Sequence, residues 1–357
     1  MSAKNIMEAM DPERFEVVPI GVTREGRWLL TGDPLRTLRE GVAETGGTPV
    51  ALLGEPAASV GAAKATSLAA VPERHPAAPV SLTEQVDVVF PVLHGTYGED
   101  GTIQGLLEMA GIPYVGAGVL ASALGMDKAM AKAVFERHGL PVARYLVVLR
   151  SAWERDNGAV LQQVEDAFPY PVFIKPANAG SSVGVSKAKN RGQLVAALDL
   201  ASHYDRKILI EEFVDGREVE CSVLGNDDPV ASVPGEVVPG NEFYDYKAKY
   251  IDDNSDLVIP ARLDPETTRK VQETAVAAFR ALDCSGMARV DFFVTRGDNR
   301  VVINEVNTIP GFTRISMYPK LWEATGIPYR ELITRLIELS VERYRDQQRS
   351  STNYDWH

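Results

Sequence analysis

The stretch RVDFFVTRGDNRVVINEVN, residues 289–307, constrains the fold more than any other part of the chain. Two apolar runs rich in Val, Ile and Phe flank the turn-forming residues RGDN, which is typical of a β-hairpin. Side chains two apart on a strand share a face, so Arg289 lies beside Asp291, and Glu305 beside Asn307. A hairpin symmetric about its turn places Asp291 opposite Glu305. Facing carboxylates destabilise a strand pair, so we expect a cation between them.

These side chains offer hard oxygen ligands for a metal ion. Asp291, Glu305 and Asn307 have no His or Cys beside them, which suits Mg²⁺ or Mn²⁺ better than zinc. Mg²⁺ usually binds through one or two carboxylates together with substrate phosphates, so the pattern also predicts a nucleoside triphosphate. An exposed polar strand face is the alternative reading. It does not explain why the strand continues directly into the tight turn TIPGF, residues 308–312.

A second segment, FIKPANAGSSVG at residues 173–184, predicts a phosphate-binding loop. An apolar strand ends near Lys175, and a loop of small residues that includes Gly180, Ser181 and Ser182 comes next. Backbone N–H groups of such a loop can close on phosphate oxygens, and the hydroxyls add donors. The segment is not a Walker A loop, because the Lys precedes the glycines. Alone it is weak evidence, and it gains weight beside the metal-binding hairpin.

A third segment, LIEEFVDGREVE at residues 209–220, is suited to a nucleoside. Glu211, Phe213, Val214 and Glu218 combine carboxylate and backbone acceptors with an aromatic face. Those groups suit the amino group of adenine and the hydroxyls of ribose. An ordinary strand and turn is an equally good reading of this segment taken by itself.

The polar, aromatic segment PGNEFYDYKAKYIDDNSD, residues 239–256, has no helical or strand periodicity. A loop of this length inside a compact domain is uncommon and usually functional, so the sequence predicts a lid. A solvated insertion is the alternative, although two Lys and three Tyr are an unusual choice for one.

Composition limits the class of protein. A formal charge of −12 argues against a nucleic-acid partner, because phosphate-backbone binding requires a basic surface. The two cysteines, Cys221 and Cys284, are too few for a disulfide framework and are expected to be buried and reduced. No apolar run is long enough to span a membrane and no secretion signal opens the chain, so we expect a cytoplasmic protein without a membrane partner.

The order of elements predicts an α/β fold with more than one sheet. Short apolar runs alternate with polar or helical spacers over residues 12–120, and the Ala- and Pro-rich stretch at 57–79 is expected to be a connecting loop. From Tyr145 to about Val223, longer strands indicate a second sheet, and the hairpin belongs to a third. GAGVLA at residues 116–121 fits a dinucleotide-binding pattern, but no acidic residue ending a second strand occurs at the required spacing.

Helix signals are clear at four places. Gly111 is expected to end a helix that begins near Ile103, and Asp127 to cap the next one, which ends at Gly139. Asp264 with Pro265 begins a third helix. The last helix is expected from Tyr329 to about Arg345.

Taken in this order, the motifs resemble the ATP-grasp ligases, and among them the D-alanine:D-alanine ligases. The matching stretches are HGTYGEDGTIQG, GMDKAMAK, FIKPANAGSSVGVSK, YDYKAKY and GMARVDFFV…INEVNTIPGFTRISMYP, which span residues 94–318. The resemblance implies an ATP-grasp fold with an N-terminal α/β domain at 1–122, a central subdomain at 123–225 with the glycine-rich loop, a C-terminal subdomain at 226–346 with the lid and the hairpin, and a disordered tail at 347–357.

The resemblance also implies a two-step reaction. ATP phosphorylates the carboxylate of one D-alanine, and the amino group of a second D-alanine attacks the acyl phosphate. The residues that would contact ATP are Lys128, Lys175 and Lys249 at the phosphates, and Glu211, Phe213, Val214 and Glu218 at the adenosine. Asp291, Glu305 and Asn307 would hold two Mg²⁺ or Mn²⁺ ions.

Other roles concern the two amino acids. Arg289 and the backbone N–H of Gly311 would stabilise the tetrahedral oxyanion. The residues that would orient the substrates are Ser181 in the glycine-rich loop, Tyr250 in the lid, Ser316 and Met317 at the carboxylate of the second D-alanine, and His94 nearby. Related D-alanine:D-lactate ligases change the lid near Tyr250, so AKY implies dipeptide formation. A homodimer is implied by the resemblance alone.

One departure concerns the beginning of the chain. The family normally opens with a strand and a GG-x-S-x-E segment, whereas MSAKNIMEAM resembles the region just after that segment in the family. We expect the missing strand and its Glu to reflect a start codon placed too far downstream. The alternatives are a shortened, nucleotide-binding chain with impaired catalysis, or another ATP-grasp carboxylate–amine ligase such as a D-alanine:D-lactate ligase.

Overall fold

The computed structural model describes residues 1–23, 28–30, 48–51, 80–81, 86–180, 182–238 and 256–351. The predicted connection at 57–79 lies outside these residues, as do Ser181 and all of the predicted lid except Asp256.

In its described residues, the N-terminal part combines three helices with a small sheet. Its helices are α1 (Ser2–Ala9), α2 (Thr102–Ala110) and α3 (Val119–Met126), and its strands are β1 (Ile20–Val22), β2 (Trp28–Leu30), β3 (Thr48–Ala51) and β4 (Val80–Ser81). The strand order is β1-β2-β3-β4, and only β3 and β4 of these are parallel. Gly111 adopts φ 64° directly after α2, which confirms the predicted helix end.

The central part is a four-stranded antiparallel sheet covered by helices. Its elements are α4 (Lys128–Arg137), β5 (Tyr145–Leu149), α5 (Arg150–Arg155), α6 (Asn157–Ala167), β6 (Val172–Pro176), β7 (Ser186–Ala188), α7 (Arg191–Tyr204) and β8 (Lys207–Glu212). The strand order is β5-β8-β6-β7. Apolar side chains of α6 and α7, such as Val164 and Leu198, pack against Ile174 and Ile210 of the sheet.

The C-terminal part is built on a six-stranded sheet. Its elements are β9 (Gly216–Gly225), β10 (Val230–Ala231), β11 (Gly235–Val238), β12 (Asp256–Val258), α8 (Pro265–Ala281), β13 (Gly286–Thr295), β14 (Val301–Asn307), α9 (Met317–Thr325) and α10 (Tyr329–Gln347). The order is β12-β11-β9-β13-β14, with β10 paired to β9. Helix α8 covers one face, and its N-cap Asp264 accepts a hydrogen bond from the backbone N–H of Thr267 at 2.9 Å.

The structure differs from three expectations about where parts of the chain begin and end. Strand β9 pairs with β13 along its whole length, so residues 216–225 belong to the C-terminal sheet and not to the central one. Helix α3 runs across the expected boundary between residues 122 and 123. The tail begins later than expected, because Gln347 ends α10 and the N–H groups of Gln348, Arg349 and Ser350 bond to carbonyls one turn earlier. Residues 352–357 lie outside the described part.

The hairpin β13–β14 has the predicted pairing, with an irregularity that the sequence does not reveal. Asp291 lies opposite Glu305 and Arg289 opposite Asn307, as expected. Phe292, however, pairs with Ile303, so Asn304 is an extra residue in β14. This β-bulge shifts the register between the turn and the outer half of the hairpin. Without it, the pairing nearer the turn would place Asn304 opposite Asp291.

Alternation along β13 separates the core from the functional face. Ala288, Val290, Phe292 and Val294 are buried in the cluster that includes α8. Arg289 and Asp291 therefore point to the opposite face of the sheet. The fold thus turns the charged face of the hairpin away from α8.

Candidate active site

One open cleft of about 1810 Å³ collects the side chains that the sequence singles out. Residues of α1, of the loop before α2, of the central sheet and of the six-stranded sheet line it. The predicted site residues among them are His94, Lys128, Lys175, Glu211, Phe213, Val214, Glu218, Arg289, Glu305, Asn307, Gly311, Ser316 and Met317. Asp291 is 8% exposed and is bonded to Arg289. Ser181, Lys249 and Tyr250 lie outside the described residues.

Arg289 supplies part of the positive charge that the sequence predicts beside the hairpin carboxylates. Arg289 binds Asp291 through two hydrogen bonds, of 2.7 and 2.8 Å. Its Nε also lies 2.9 Å from Oε2 of Glu220 on β9. Burial opposes the charge of the guanidinium, but Asp291 and Glu220 hold its pKa well above the usual value.

Glu220 is a site residue that the sequence alone did not single out. It lies opposite Asp291 across the β9–β13 pair, so Glu220, Asp291 and Glu305 form a row of three carboxylates across neighbouring strands. The alternation of Glu218, Glu220 and Ser222 along β9 carries a signal for it. That signal becomes visible only when β9 is known to pair with β13.

The hairpin oxygens fit a hard divalent cation that is bound together with a nucleotide. Within the described residues, no three His, Cys, Asp or Glu side chains lie close enough to hold a metal ion by themselves. Nδ2 of Asn307 donates to Oδ2 of Asp291 at 2.9 Å, so its amide oxygen points away from that carboxylate. Asp291, Glu305 and the Asn307 oxygen would therefore need phosphate oxygens to complete a coordination shell. Mg²⁺ is commonly bound in this manner.

The cap of α4 places Lys128 at the end of the cleft where the sequence predicts the phosphates of a nucleotide, here called the phosphate end. Asp127 accepts hydrogen bonds from the N–H groups of Ala129 and Met130, each at 3.1 Å, and its other oxygen lies 2.5 Å from Nζ of Lys207 on β8. The helix therefore begins at Lys128 with its first turn held against the central sheet. Nζ of Lys128 donates to the Ala179 carbonyl at 2.9 Å and lies 3.4 Å from Glu305.

The glycine-rich loop crosses the cleft beside Lys128. Gly184 has φ 71°, and a Cβ there would lie 2.7 Å from the ring of Tyr204 and 2.8 Å from Pro176. A side chain at this position would therefore push the loop away from the end of β6. A Cβ at Gly180 would lie 3.5 Å from Cα of Gly95, so the loop lies beside the segment that precedes α2.

Lys175 is the second lysine at this end, and it belongs to a buried ion cluster. Its Nζ lies 2.5 Å from Oε2 of Glu211, while Nζ of Lys132 lies 2.6 Å from Oε1. Burial alone would raise the pKa of Glu211, but the two lysines lower it to about 2. Nζ of Lys175 also donates to Oδ1 of Asn304, the bulged residue, at 3.1 Å. The Glu211 carboxylate is therefore committed to lysines, and an adenosine would meet the backbone of that residue.

The aromatic end of the cleft lies beyond Glu211. Phe213 is 43% exposed and stacks on Phe173, with ring centroids 6.2 Å apart and an angle of 25° between the rings. Nζ of Lys187 lies 4.6 Å from the centre of the Phe213 ring. An exposed aromatic ring beside a cation is a suitable platform for a flat base.

The loop before α2 brings two ionisable groups to the cleft. His94 contacts the backbone at Ile309, and desolvation lowers the pKa of its imidazole. Glu99 accepts a hydrogen bond from the backbone N–H of Gly95, and burial raises its pKa to about 7. Glu99 was not singled out from the sequence, because nothing in HGTYGEDG distinguishes it from Asp100.

The turn after β14 presents backbone donors at the other end of the cleft. A Cβ at Gly311 would lie 2.7 Å from Oγ of Ser316, so a side chain there would displace the serine hydroxyl. Oγ of Ser316 accepts from the N–H of Thr313 at 2.9 Å, and Ser316 is also the N-cap of α9 without bonding to that helix through its side chain. The first N–H groups of α9, beginning at Met317, can therefore receive a carboxylate.

Comparisons with known proteins agree with this geometry. A model of the D-ala D-ala ligase N-terminus matches residues 1–117, and a model of the D-ala D-ala ligase C-terminus matches residues 134–338. The chain belongs to the D-alanine–D-alanine ligase family. The ATP-grasp resemblance inferred from the motifs is thereby confirmed.

Individual relatives of this ligase family match nearly the whole chain. The D-alanine–D-alanine ligase of Acetivibrio thermocellus is 53% identical over 355 residues, which cover 97% of this chain and 92% of that protein. The ligase of Natranaerobius thermophilus is 49% identical over 353 residues, which cover 99% and 93%.

Two solved structures match the ligase fold of this chain. The D-alanine-D-alanine ligase from Coxiella burnetii has a TM-score of 0.78 and 37% identity, covering 98% of this chain and 90% of that one. The VanG D-Ala:D-Ser ligase from Enterococcus faecalis has a TM-score of 0.79 and 36% identity, covering 95% and 94%. In the described part of the present chain, no helix is both long and apolar enough to cross a membrane.

Proposed function

We propose that the protein joins two D-alanines to D-alanyl-D-alanine for peptidoglycan synthesis, with ATP converted to ADP and phosphate. The observation that carries the proposal is the arrangement of one cleft. Lys128 and Lys175 line it together with Arg289, the Gly311 turn and the hairpin residue Glu305, and Asp291 is bonded to Arg289. Membership of the family supports the same activity.

In the first step, a carboxylate oxygen of one D-alanine attacks the γ-phosphorus of ATP, and the bond to the bridging oxygen of ADP breaks. Lys128 and Lys175 bind the phosphates and offset their charge while the phosphoryl group moves. Asp291, Glu305 and Asn307 would hold two Mg²⁺ or Mn²⁺ ions, which supply further positive charge at the phosphate oxygens when bound. Phe213, Val214 and the backbone at Glu211 hold the adenine, and Glu218 the ribose.

In the second step, the amino group of the other D-alanine attacks the carbonyl carbon of the acyl phosphate. A C–N bond forms and the carbonyl oxygen becomes an oxyanion. Collapse of the intermediate breaks the C–O bond to phosphate, which leaves, and the new amide nitrogen releases its extra proton to phosphate or solvent. Arg289 and the N–H of Gly311 donate to that oxyanion, which is worth about 3 kcal/mol for a single preorganised donor. The α9 N-terminus at Ser316 and Met317 binds the carboxylate of the attacking amino acid. Ser181, Tyr250 and His94 orient the substrates, and Lys249 covers the γ-phosphate.

We further propose a homodimer. Leu106 and Met109 on α2 and Leu120 on α3 are 37%, 65% and 57% exposed, and neighbouring exposed apolar side chains often mark a contact between subunits. Light scattering after gel filtration measures the mass directly, and a monomer at micromolar concentration would refute this part of the proposal. The cytoplasmic location stays a prediction from the sequence.

The test of the reaction is ADP release by the purified chain with Mg²⁺ and ATP. We expect release that requires D-alanine and is absent with L-alanine or without an amino acid, together with D-alanyl-D-alanine in the product. Product analysis with D-lactate or D-serine added beside D-alanine separates this ligase from related ones with other acceptors. A chain whose melting temperature rises with ATP, but which releases no ADP with any amino acid, would instead be a nucleotide-binding form without catalysis.

A further inference from the structure

Beneath the phosphate end of the cleft lies a buried cluster of three charges, formed by Lys132, Glu211 and Lys175. Lys132 is 2% exposed and Glu211 is 4% exposed. The carboxylate lies between the two lysines, with N–O distances of 2.6 and 2.5 Å. One carboxylate between two ammonium groups leaves a net charge of +1 for the cluster.

The two lysines differ in what they can reach. Lys175 lines the cleft, whereas Lys132 does not. Lys132 instead points from α4 into the protein, where its Nζ lies 5.8 Å from the centre of the Tyr145 ring. Among the described residues, that Nζ has no hydrogen-bond partner besides its ion pair with Glu211. A fully buried lysine is costly to keep charged, and a core methionine would fill similar space at lower cost.

The role of Lys132 follows from the net charge that the cluster would have without it. Lys175 and Glu211 alone would form a neutral pair, and the carboxylate would pull Lys175 toward itself with both oxygens. With Lys132 present, Glu211 shares its charge between two partners. Lys175 can then extend to Oδ1 of Asn304 at 3.1 Å, at the hairpin side of the cleft.

We infer that Lys132 is a positioning residue that balances the charge of Glu211, so that Lys175 keeps a full positive charge for the nucleotide phosphates. This inference rests on the proposed function, since it assigns the phosphates of ATP to Lys175. Lys132 itself touches neither ATP nor the amino acids.

The test compares nucleotide affinities in four proteins, measured by calorimetry with Mg²⁺ and ADP and with a non-hydrolysable ATP analogue. The proteins are the wild type, Lys132→Met, the double variant Lys132→Met/Glu211→Gln and the exposed control Lys270→Met on α8. We expect Lys132→Met to weaken binding of the ATP analogue about 10- to 100-fold, because the cluster loses its net charge. The double variant again carries +1, on Lys175, and is expected to return to within about threefold of the wild type. Lys270→Met should bind as the wild type does.

The double variant separates charge balance from packing. If Lys132 only filled space, removal of a second native side chain would weaken binding further, so a double variant that binds no better than Lys132→Met overturns the inference. Unchanged binding by Lys132→Met would overturn it as well. Should Lys132→Met fail to fold, the double variant decides alone, because it restores the cluster's net charge of +1, which Lys175 then carries at the wall of the cleft. Affinity within about threefold of the wild type supports the inference, and a loss of more than tenfold refutes it.

Because the measurement uses binding alone, it is independent of catalysis. A wild type that binds nucleotide but ligates no amino acid would count against the proposed reaction and would not change the ranking of the variants. The rescue by Glu211→Gln is the result that a purely structural role for Lys132 does not produce.

Discussion

Glu220 is placed to hold Arg289 if Asp291 binds a cation. Arg289 has two anionic partners, Asp291 and Glu220, at 2.7 and 2.9 Å. A cation bound to Asp291 would compete with the guanidinium for that carboxylate, whereas Glu220 would stay paired. We therefore predict that Glu220→Gln lowers kcat about 10- to 100-fold and changes the KM for ATP less than threefold, because the oxyanion donor is loosened and the phosphate lysines are not.

Steady-state kinetics of ADP release checks this prediction, with Glu236→Gln as the matched control. Glu236 lies on the neighbouring strand β11 and also pairs with an arginine, Arg217, at 2.8 Å. Arg217 has no proposed role in the reaction, so kcat of the control should stay near that of the wild type. Equal losses of kcat in both variants would mean that Glu220 acts through the stability of the sheet.

Glu99 should make the stability of the metal-free protein depend on pH. Burial raises its pKa from the ordinary 4.5 to about 7. Between those two pH values the unfolded chain releases the proton and the folded protein keeps it, so the contribution of Glu99 to stability is greatest below pH 4.5 and is lost as pH rises to 7. Glu99→Gln removes this loss. Relative to the wild type, the variant should gain about 2–3 kcal/mol between pH 5 and pH 8.

Urea unfolding in the presence of EDTA at pH 5, 6, 7 and 8 measures the effect. Glu342→Gln, on the exposed side of α10, controls for the loss of one negative charge. A difference between Glu99→Gln and the wild type that does not change with pH would contradict the prediction.

Single residues also show where sequence reasoning succeeds and where it ends. The pair Asp291–Glu305 could be predicted, because alternation and a turn fix which side chains face each other. Asn304 could not be assigned, because a bulge adds one residue without a sequence signal. Its amide accepts from Lys175, so the same bulge that sets the carboxylate pair also connects the hairpin to the phosphate lysine.

At the scale of elements, the N-cap of helix α4 determines where Lys128 lies in the candidate active site. Its N-cap Asp127 also pairs with Lys207 of β8, so one side chain both begins the helix and fixes it to the central sheet. Asp127→Ala should lower the free energy of unfolding by about 1–3 kcal/mol, from the lost cap and the lost partly buried ion pair. It should also weaken nucleotide binding several-fold, because Lys128 is the first residue of the helix.

Asp156→Ala is the matched control, since Asp156 caps α6 through the N–H of Ala159 at 2.9 Å and does not line the cleft. We expect a stability loss of about 1 kcal/mol and unchanged nucleotide affinity. Denaturant midpoints and calorimetric titrations provide both numbers. If Asp127→Ala bound nucleotide as tightly as Asp156→Ala does, the cap would have no part in placing Lys128.

Helix ends were therefore predictable, and sheet membership was not. Gly111, Asp127 and Asp264 act through neighbours within one turn, so their signals are contained in a few residues. Strand β9 pairs with β13, whose residues come some sixty positions later, as in the pair Gly225–Gly286. Periodicity identifies such a strand but carries no information about its partner. This is why the sequence places residues 216–225 in the wrong sheet.

At the scale of the whole molecule, the cleft is complete only while the N-terminal part stays against the C-terminal part. Arg343 of α10 joins the two. Its guanidinium donates to the carbonyls of Tyr114 and Gly116 and to Oγ of Ser285, and it lies 4.3 Å from the centre of the Tyr114 ring. The loop that carries His94 and Glu99 comes before α2, in the part that this arginine holds.

Arg343→Ala should therefore lower the free energy of unfolding by about 2–4 kcal/mol, because it removes several charge-assisted hydrogen bonds at a partly buried junction. We expect a lower melting temperature and a higher KM for D-alanine, since His94 and Glu99 lie on the amino-terminal wall of the cleft. Arg345→Ala, two residues along the same helix and exposed, should change stability by less than about 0.5 kcal/mol. Scanning calorimetry of both variants, with and without nucleotide, shows whether Arg343 joins the two parts of the protein or makes only a surface contact. Equal melting temperatures for the two variants would show that contacts other than those of Arg343 hold the two parts together.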